Sequence, residues 1–392
     1  MSKVEYKNTL IKDIGRVVTG KTPESKKAEF YGNGYMFITP AELHDGYNVQ
    51  VSDKYITESG LQSIKSNYID GTSVMVGCIG WDMGNVAICH KKCATNQQIN
   101  SITDFNPKYN PFYTYYWLLT KKDYLFTIAS VTRTPILSKS TFEEIVIPMP
   151  DRSIQDNVVG ILKPIDDMIE NNKRICSELE AMAKVLYDYW FVQFDFPDEN
   201  GKPYRTSGGE MVWNEQLKRE IPKGWDVTNI GNLTTVVTGK EDANFSSPNG
   251  KYKFFTCSQE TLLCDTPAFS GQAVLIAGNG DFNVKHYSGE FNAYQRTYVL
   301  IPENQVYYGA MYISSKNQIQ AFKNGSNGSI VKFITKGDVE NIPFILPNDD
   351  LIFHQINKLI EKIELCEREN EELTKLRDWL LPMLMNGQAR VE

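Results

Sequence analysis

Between Ile154 and Phe191 the chain reads IQDNVVGILKPIDDMIENNKRICSELEAMAKVLYDYWF, and residues recur there at alternating steps of four and three. The series is Ile161, Ile165, Met168, Asn172, Ile175, Leu179, Met182, Leu186 and Tyr189, apolar except for the asparagine. Such spacing is the seam of a coiled coil. The pattern returns 198 residues later as Leu359, Ile363, Cys366, Asn370, Leu373, Arg377, Leu380 and Leu384, with the asparagine at its own position. A seam helix cannot bury its stripe alone, so two copies in one chain predict helices that bury each other. Two ordinary core helices are the plainer reading. The repeated asparagine and the long acidic outer faces argue against it. A helix that leads from one domain to the next must be matched by one that runs back, so the pair is expected to be antiparallel. Asn172 and Asn370 are then expected to meet, or to miss by one turn, and to set the register.

A chain of 392 residues has room for two to four domains. No run of eighteen apolar residues exists, so no helix is expected to span a membrane. The first residues, MSKVEYKNTLIKDIG, lack the apolar core of a signal peptide. Seven scattered cysteines without a CxxC pair fit reduced thiols and a cytoplasmic location. Cys89, His90 and Cys93 hint at zinc, but no second pair follows, and buried thiols are the expectation. Net charge is −7, which taken alone speaks against nucleic acid. Its distribution matters more: residues 1–150 carry +2, 151–225 carry −4, 226–347 carry −1 and 348–392 carry −4. The acidity therefore sits with the helical segments, and the other two are free to present local basic surfaces.

Residues 1–150 alternate short β-rich runs with turn signals, among them Tyr35–Ile38, Ser73–Val76 and Val86–Cys89. Pro111 to Ala129 reads as an aromatic, amphipathic helix, and Ile145–Pro150 (IVIPMP) as a closing strand. The first seam helix fills 151–195, with Asp151 or Ser153 as its cap. Residues 196–225 are a Gly- and Pro-rich linker that packs locally, judging by Tyr204, Trp213 and Trp225. A second β-rich segment, 226–347, opens NIGNLTTVVTGKED, an echo of TLIKDIGRVVTGKTP, and closes NIPFILP, an echo of EEIVIPMP. The second seam helix fills 348–392, capped by Asn348 or Asp349, with Pro382 expected to kink or end it and Gly387 to mark its stop. The fold class is α+β: two β-rich domains separated by two long helices in an antiparallel coiled coil, a pseudo-twofold internal repeat. The two halves share frames but differ inside, as a pair of differently tuned recognition modules would.

Enzymatic signatures are weak. No phosphate-binding loop stands at a strand–helix junction, and Asn110-Pro-Phe-Tyr113 only superficially resembles the Asn-Pro-Pro-Tyr loop of adenine methyltransferases. The four histidines form no pair at helical spacing and no GxSxG elbow is present. Turn-rich stretches do carry the groups that read bases and hold phosphates. In the first segment these are Lys21, Thr22, Trp81, Asn85, Asn96, Gln97, Gln98, Arg133 and Lys139. In the second they are Lys240, Asn279, Asn283, Lys285, Gln295, Arg296, Asn327 and Lys332. A solvated loop residue is the plainer account of any one of them; the adjacent groups Asn96-Gln97-Gln98 and Gln295-Arg296 are the stronger candidates.

The whole layout resembles the specificity (S) subunit of type I restriction-modification systems. The likeness rests on the repeat of domain and long helix, on TGKTP (Thr19–Pro23), ATNQQI (Ala94–Ile99), the IPxP-like closings and the central YRTSGGEM…IPKGW run (Tyr204–Trp225). The second domain departs from it, with no proline after Thr238-Gly-Lys and with Asn292-Ala-Tyr-Gln-Arg296 where Asn-Gln stood. The resemblance implies a DNA-reading adaptor without catalysis of its own, and the residues themselves give no expectation of a metal site. Each target recognition domain would read one half of a split double-stranded target, and the helices would dock two modification (methyltransferase) subunits. Those subunits would bring S-adenosylmethionine and flip out an adenine. A restriction subunit using ATP can join such complexes, and nothing in the layout involves a membrane. The helices would then act as a ruler: the seam from Ile161 to Tyr189 is roughly 43 Å long at about 1.5 Å per residue. A purely structural coiled-coil scaffold, or an enzyme with an unrecognised site, stays open on residues alone.

Overall fold

The computed structural model describes residues 5–44, 47–131, 133–280, 282–323 and 333–388. The chain divides into two units, residues 1–171 with 369–392, and residues 172–368. Both long helices, Arg152–Tyr187 and Leu351–Met385, begin in one unit and end in the other.

In the first unit the echoed ends pair with each other: Lys7–Leu10 lies antiparallel to Val146–Met149. This closes the domain on itself and brings its entry and exit side by side. Inside the frame, Arg16–Thr19, Ile99–Thr103, Ser73–Gly77 and Val86–Cys89 form an antiparallel sheet in that order. A second sheet runs Tyr55–Ile56, Tyr31–Ile38, Cys93–Thr95, Tyr68–Ile69, with its central pair parallel. The strands expected from β-rich runs are all present. The aromatic stretch differs from expectation. It forms two helices, Pro111–Leu119 and Lys122–Thr127, and the first is not amphipathic: Tyr113, Tyr115, Tyr116, Trp117 and Leu118 are all buried. It is enclosed by Val74, Val76 and Ile88 of the sheet and by Val158, Val159 and Leu162 of the first long helix. Asn110 starts it by accepting the Phe112 amide proton at 2.9 Å, a capping role rather than a methyltransferase loop.

The second unit repeats the frame with a different filling. Asp226–Asn229 pairs antiparallel with Pro343–Leu346. The interior is one six-stranded sheet in the order Val237–Thr238, Thr297–Leu300, Phe269–Ala277, Val284–Ala293, Tyr252–Phe255, Leu262–Cys264. Helix Tyr308–Lys323 takes the place of the aromatic helix, and its Tyr308, Met311 and Ile319 share a core with Ile352, Ile356 and Ile360 of the second long helix. The linker packs as expected around Phe196, which stacks on Trp190 at 5.0 Å, Tyr204 at 4.7 Å and Trp225 at 4.7 Å. Trp213 takes no part in that stack, being 59% exposed on the hairpin Met211–Asn214/Arg219–Pro222.

Within each unit the long helices pair antiparallel. In the first, Val158, Val159 and Leu162 share a core with Leu381, Leu384 and Met385, while Asn370 donates to the Ile169 carbonyl at 3.3 Å. In the second, Cys176 lies 3.7 Å from the Ile363 carbonyl and Phe191 stacks on Phe353. Asn370 thus reaches the turn that precedes Asn172, which is itself buried.

The phase of the first seam is shifted from the sequence reading. Ile165 and Asn172 are buried, but Met168 is 47% and Met182 57% exposed, and Leu162, Ile169 and Ala183 are buried instead. The first helix has apolar residues on both sides of one edge, and periodicity alone cannot choose between them. On the second helix Ile363 and Leu384 are buried as expected. Pro382 does not end that helix, which runs on to Met385 before Gly387 turns at φ 67°. A proline this near the C-terminus removes only one helical hydrogen bond. At the N-terminus Asp349 Oδ1 accepts from the Leu351 amide at 3.0 Å.

Candidate nucleic-acid interface

The same loop-and-turn is built once in each domain. In the first, the Gly20 amide donates to Ile99 O at 3.0 Å, and a Cβ on Gly20 would fall 2.1 Å from Asn96 O. Only glycine lets the Lys21-Thr22 loop lie this close to the Asn96–Gln98 turn. In the second, the Gly239 amide donates to Thr297 O at 3.1 Å, and a Cβ would fall 1.9 Å from Ala293 O. The turns correspond in backbone: Ile99 N to Asn96 O in one, Thr297 N to Tyr294 O in the other. Gln97 and Gln295 thus occupy equivalent places, as do Gln98 and Arg296.

Side chains differentiate the two copies. Thr22 Oγ1 donates to Gln97 Oε1 at 2.7 Å. Asn96 Nδ2 donates to Gln98 Oε1 at 2.8 Å, and the Gln98 amide donates back to Asn96 Oδ1. In the second copy Gln295 Nε2 donates to Asp242 Oδ1 at 2.7 Å, while Arg296 stands exposed with no hydrogen bond or ion pair from its guanidinium among the described residues.

Backbone bridges gather further candidates beside each turn. Cys78 N donates to Gln98 O, Leu137 N to Cys78 O and Gly80 N to Pro135 O. These bonds draw the Trp81 loop and the hairpin carrying Arg133 to the edge that holds the first turn. Trp81 is 71% exposed there, with its ring 6.0 Å from Phe126. Arg133 and Lys139 are exposed, the latter 3.5 Å from Glu143. Asn85 is bound up locally: its Oδ1 accepts from Lys122 at 2.8 Å and its Nδ2 donates to the Asp82 carbonyl at 3.0 Å. Asp82 is held below the usual carboxylate range, chiefly by its hydrogen bond from Lys122. In the second domain Gly278 N donates to Arg296 O, which sets Asn279 beside that turn; Lys240 is exposed. Asn283 and Lys285 face inward. Asn283 Nδ2 donates to Cys257 O at 2.8 Å, and Lys285 Nζ donates to Ser258 O at 2.9 Å. Burial lowers the pKa of Lys285. Asn327 and Lys332 lie outside the described residues.

Two buried clusters escaped sequence reading. In the first unit Asp166 accepts from the Tyr116 hydroxyl at 2.6 Å and pairs with Arg377 at 3.0 Å. In the second, Glu364 accepts from Tyr308 and lies 3.3 Å from His286 Nδ1. Asp166 and Glu364 are 198 residues apart, the repeat offset itself. Each carboxylate fastens an aromatic residue of its domain to a long helix. The legible signal was Arg377, the one charge in that seam. Among the described residues no three His, Cys, Asp or Glu gather as a metal site. Cys89 and Cys93 lie buried 3.6 Å apart while His90 Nδ1 meets the Thr72 hydroxyl at 3.0 Å.

Two frames of one design, each with its own loop-and-turn and each tied to long paired helices, are the layout of a two-domain recognition subunit. The model of the type I restriction modification DNA specificity domain matches residues 3–181 and 222–375, and the chain belongs to this family. It is similar to the type I restriction enzyme MjaIX specificity subunit of Methanocaldococcus jannaschii, with 26% identity across 97% of this chain and 93% of that one. The EcoDI specificity subunit of Escherichia coli is 34% identical over 44% of this chain and 40% of its own. The crystal structure of a type I restriction-modification S subunit from M. genitalium shares the fold, with a TM-score of 0.61 at 16% identity, covering 98% of this chain and 97% of that one. The chain is a DNA-binding specificity subunit with two target recognition domains and without catalytic activity of its own. No helix among the described residues is long and apolar enough to cross a membrane.

Proposed function

We propose that each domain reads one half of a split double-stranded target through its paired loop and turn. The observation that carries this is the repetition of one tight backbone arrangement with different base-reading side chains on it: Gln97-Gln98 in one copy, Gln295-Arg296 in the other. Lys21, Lys139 and Lys240, exposed around these turns, suit phosphate contacts. The long helices offer a docking face for two modification subunits. Apolar side chains that no seam uses stand exposed on them: Met182 (57%) and Val185 (68%) on the first helix, Trp379 (59%) on the second. Exposed large apolar groups on such helices fit partner contacts. S-adenosylmethionine, and ATP where a restriction subunit joins, would be bound by those partners in the cytoplasm. Met182→Glu with Val185→Glu should abolish co-purification with the methyltransferase while leaving the melting temperature unchanged. Retained co-purification would remove this face from the docking surface.

Mapping adenine methylation in cells that carry this chain and its methyltransferase tests the reading. A split target is expected; methylation without sequence preference would favour a plain scaffold. Gln98→Ala should relax one position in one half-target, since a good bidentate base contact is worth about 1–3 kcal/mol. Lys139→Ala should weaken binding to all sequences alike and lower the salt slope by about 0.9. A base-specific loss from the lysine, or a uniform loss from the glutamine, would reverse the assignment.

A further inference from the structure

Asp242 is an exposed carboxylate within the edge that would face DNA, where phosphate repulsion disfavours it. Its hydrogen bond gives it a purpose. A carboxylate only accepts, so Gln295 must turn its nitrogen to Asp242 at 2.7 Å, and this leaves Oε1 as an acceptor on an exposed residue, with no donor to it among the described residues. In the first domain the side chain that meets Gln97 is Thr22, one place earlier in its loop than Asp242, and a hydroxyl that both donates and accepts fixes no amide orientation. Beside the oriented Gln295 stands Arg296, whose guanidinium has no partner among the described residues.

We propose that the second domain reads two specific features of its half-target: a guanine, through Arg296, and an exocyclic amino group, through Gln295 as positioned by Asp242. The proposal rests on this turn being the base-reading edge. The guanidinium fork donates to guanine O6 and N7. Gln295 Oε1 accepts from adenine N6 or cytosine N4, the two major-groove amino donors, and excludes the keto bases guanine and thymine at that place. The first domain carries Gln98 where Arg296 stands, so it lacks this guanine reader.

The test uses the intact complex of this chain with its methyltransferase subunits, with methylated sites mapped over a randomised DNA library. The wild-type half-target of the second domain should hold one fixed guanine and one position restricted to adenine or cytosine on one strand. Arg296→Gln should reduce discrimination at the guanine alone, by about 5- to 150-fold. Asp242→Asn frees the Gln295 amide to present either end, so the second position should also admit guanine or thymine. Neither change should touch the other half-target, and both residues are exposed, so folding should survive. A uniform loss of methylation with unchanged base preferences in either variant would overturn the proposal while leaving the split-target reading intact. Methylation by the wild-type complex without any split target would sink both.

Discussion

Arg377→Met is expected to lower the stability of the first unit by about 3–5 kcal/mol at neutral pH, the loss typical of stranding a buried charge. Asp166 has a side chain 2% exposed, and Arg377 is its only cation among the described residues. Burial, with Asp167 beside it, already raises the Asp166 pKa against the opposing pull of Tyr116 and Arg377. Removing the guanidinium raises it further. A carboxylate whose folded pKa lies above its unfolded value favours folding fully at pH below the unfolded value. That contribution is lost as pH rises through the folded pKa. The variant should therefore be nearest to wild type near pH 4 to 5 and fall behind as the pH approaches neutrality. Urea unfolding at the two ends of that window measures it. Equal losses at both would show that Arg377 contributes packing rather than charge. Asp166→Asn combined with Arg377→Met should recover part of the loss, because no buried charge is left.

Replacing residues 226–347 with the corresponding segment of another family member should change one half of the target completely and leave the other half as it was. The reason lies in the frame. Asp226–Asn229 and Pro343–Leu346 are hydrogen-bonded neighbours, so the exchanged segment enters and leaves at one place. The six-stranded sheet and the Gln295-Arg296 turn travel with it. Methylation mapping of the hybrid provides the readout. A change in both halves would show that the domains do not read independently.

The frame of this fold was plain in the sequence because its signals are local and repeated. The opening and closing echoes are strands that pair with each other, and the two Thr-Gly-Lys runs are loops held against a turn by a glycine. Other features depended on tertiary context. The first seam was placed one residue off at Met168 and Met182, since Ile169 and Ala183 satisfy the same period from the other side. The stretch Pro111–Ala129 reads as one amphipathic helix because its aromatic residues carry polar atoms, yet the surroundings of its first helix, Pro111–Leu119, bury nearly all of those there. Asn283 and Lys285 look like readers by type, but loop carbonyls that no pattern reveals hold both side chains. Asp242 went unnoticed because an acid near DNA looks unfavourable until its glutamine partner is seen.

The carboxylates at Asp166, which is buried, and Glu364, which is largely covered, are also expected to limit which domains combine with which helices. Both stand at the same point of the repeat, yet they are held by different partners. Asp166 finds its cation on the other long helix, at Arg377. Glu364 depends on the domain itself, through His286 and Tyr308. The first socket therefore keeps its charge balance when its domain is traded, losing only the Tyr116 hydroxyl. The second socket gives up its histidine and its hydroxyl together. Domain exchange is therefore expected to be lopsided, with the first position more tolerant of newcomers and the second favouring those that bring their own partners for Glu364.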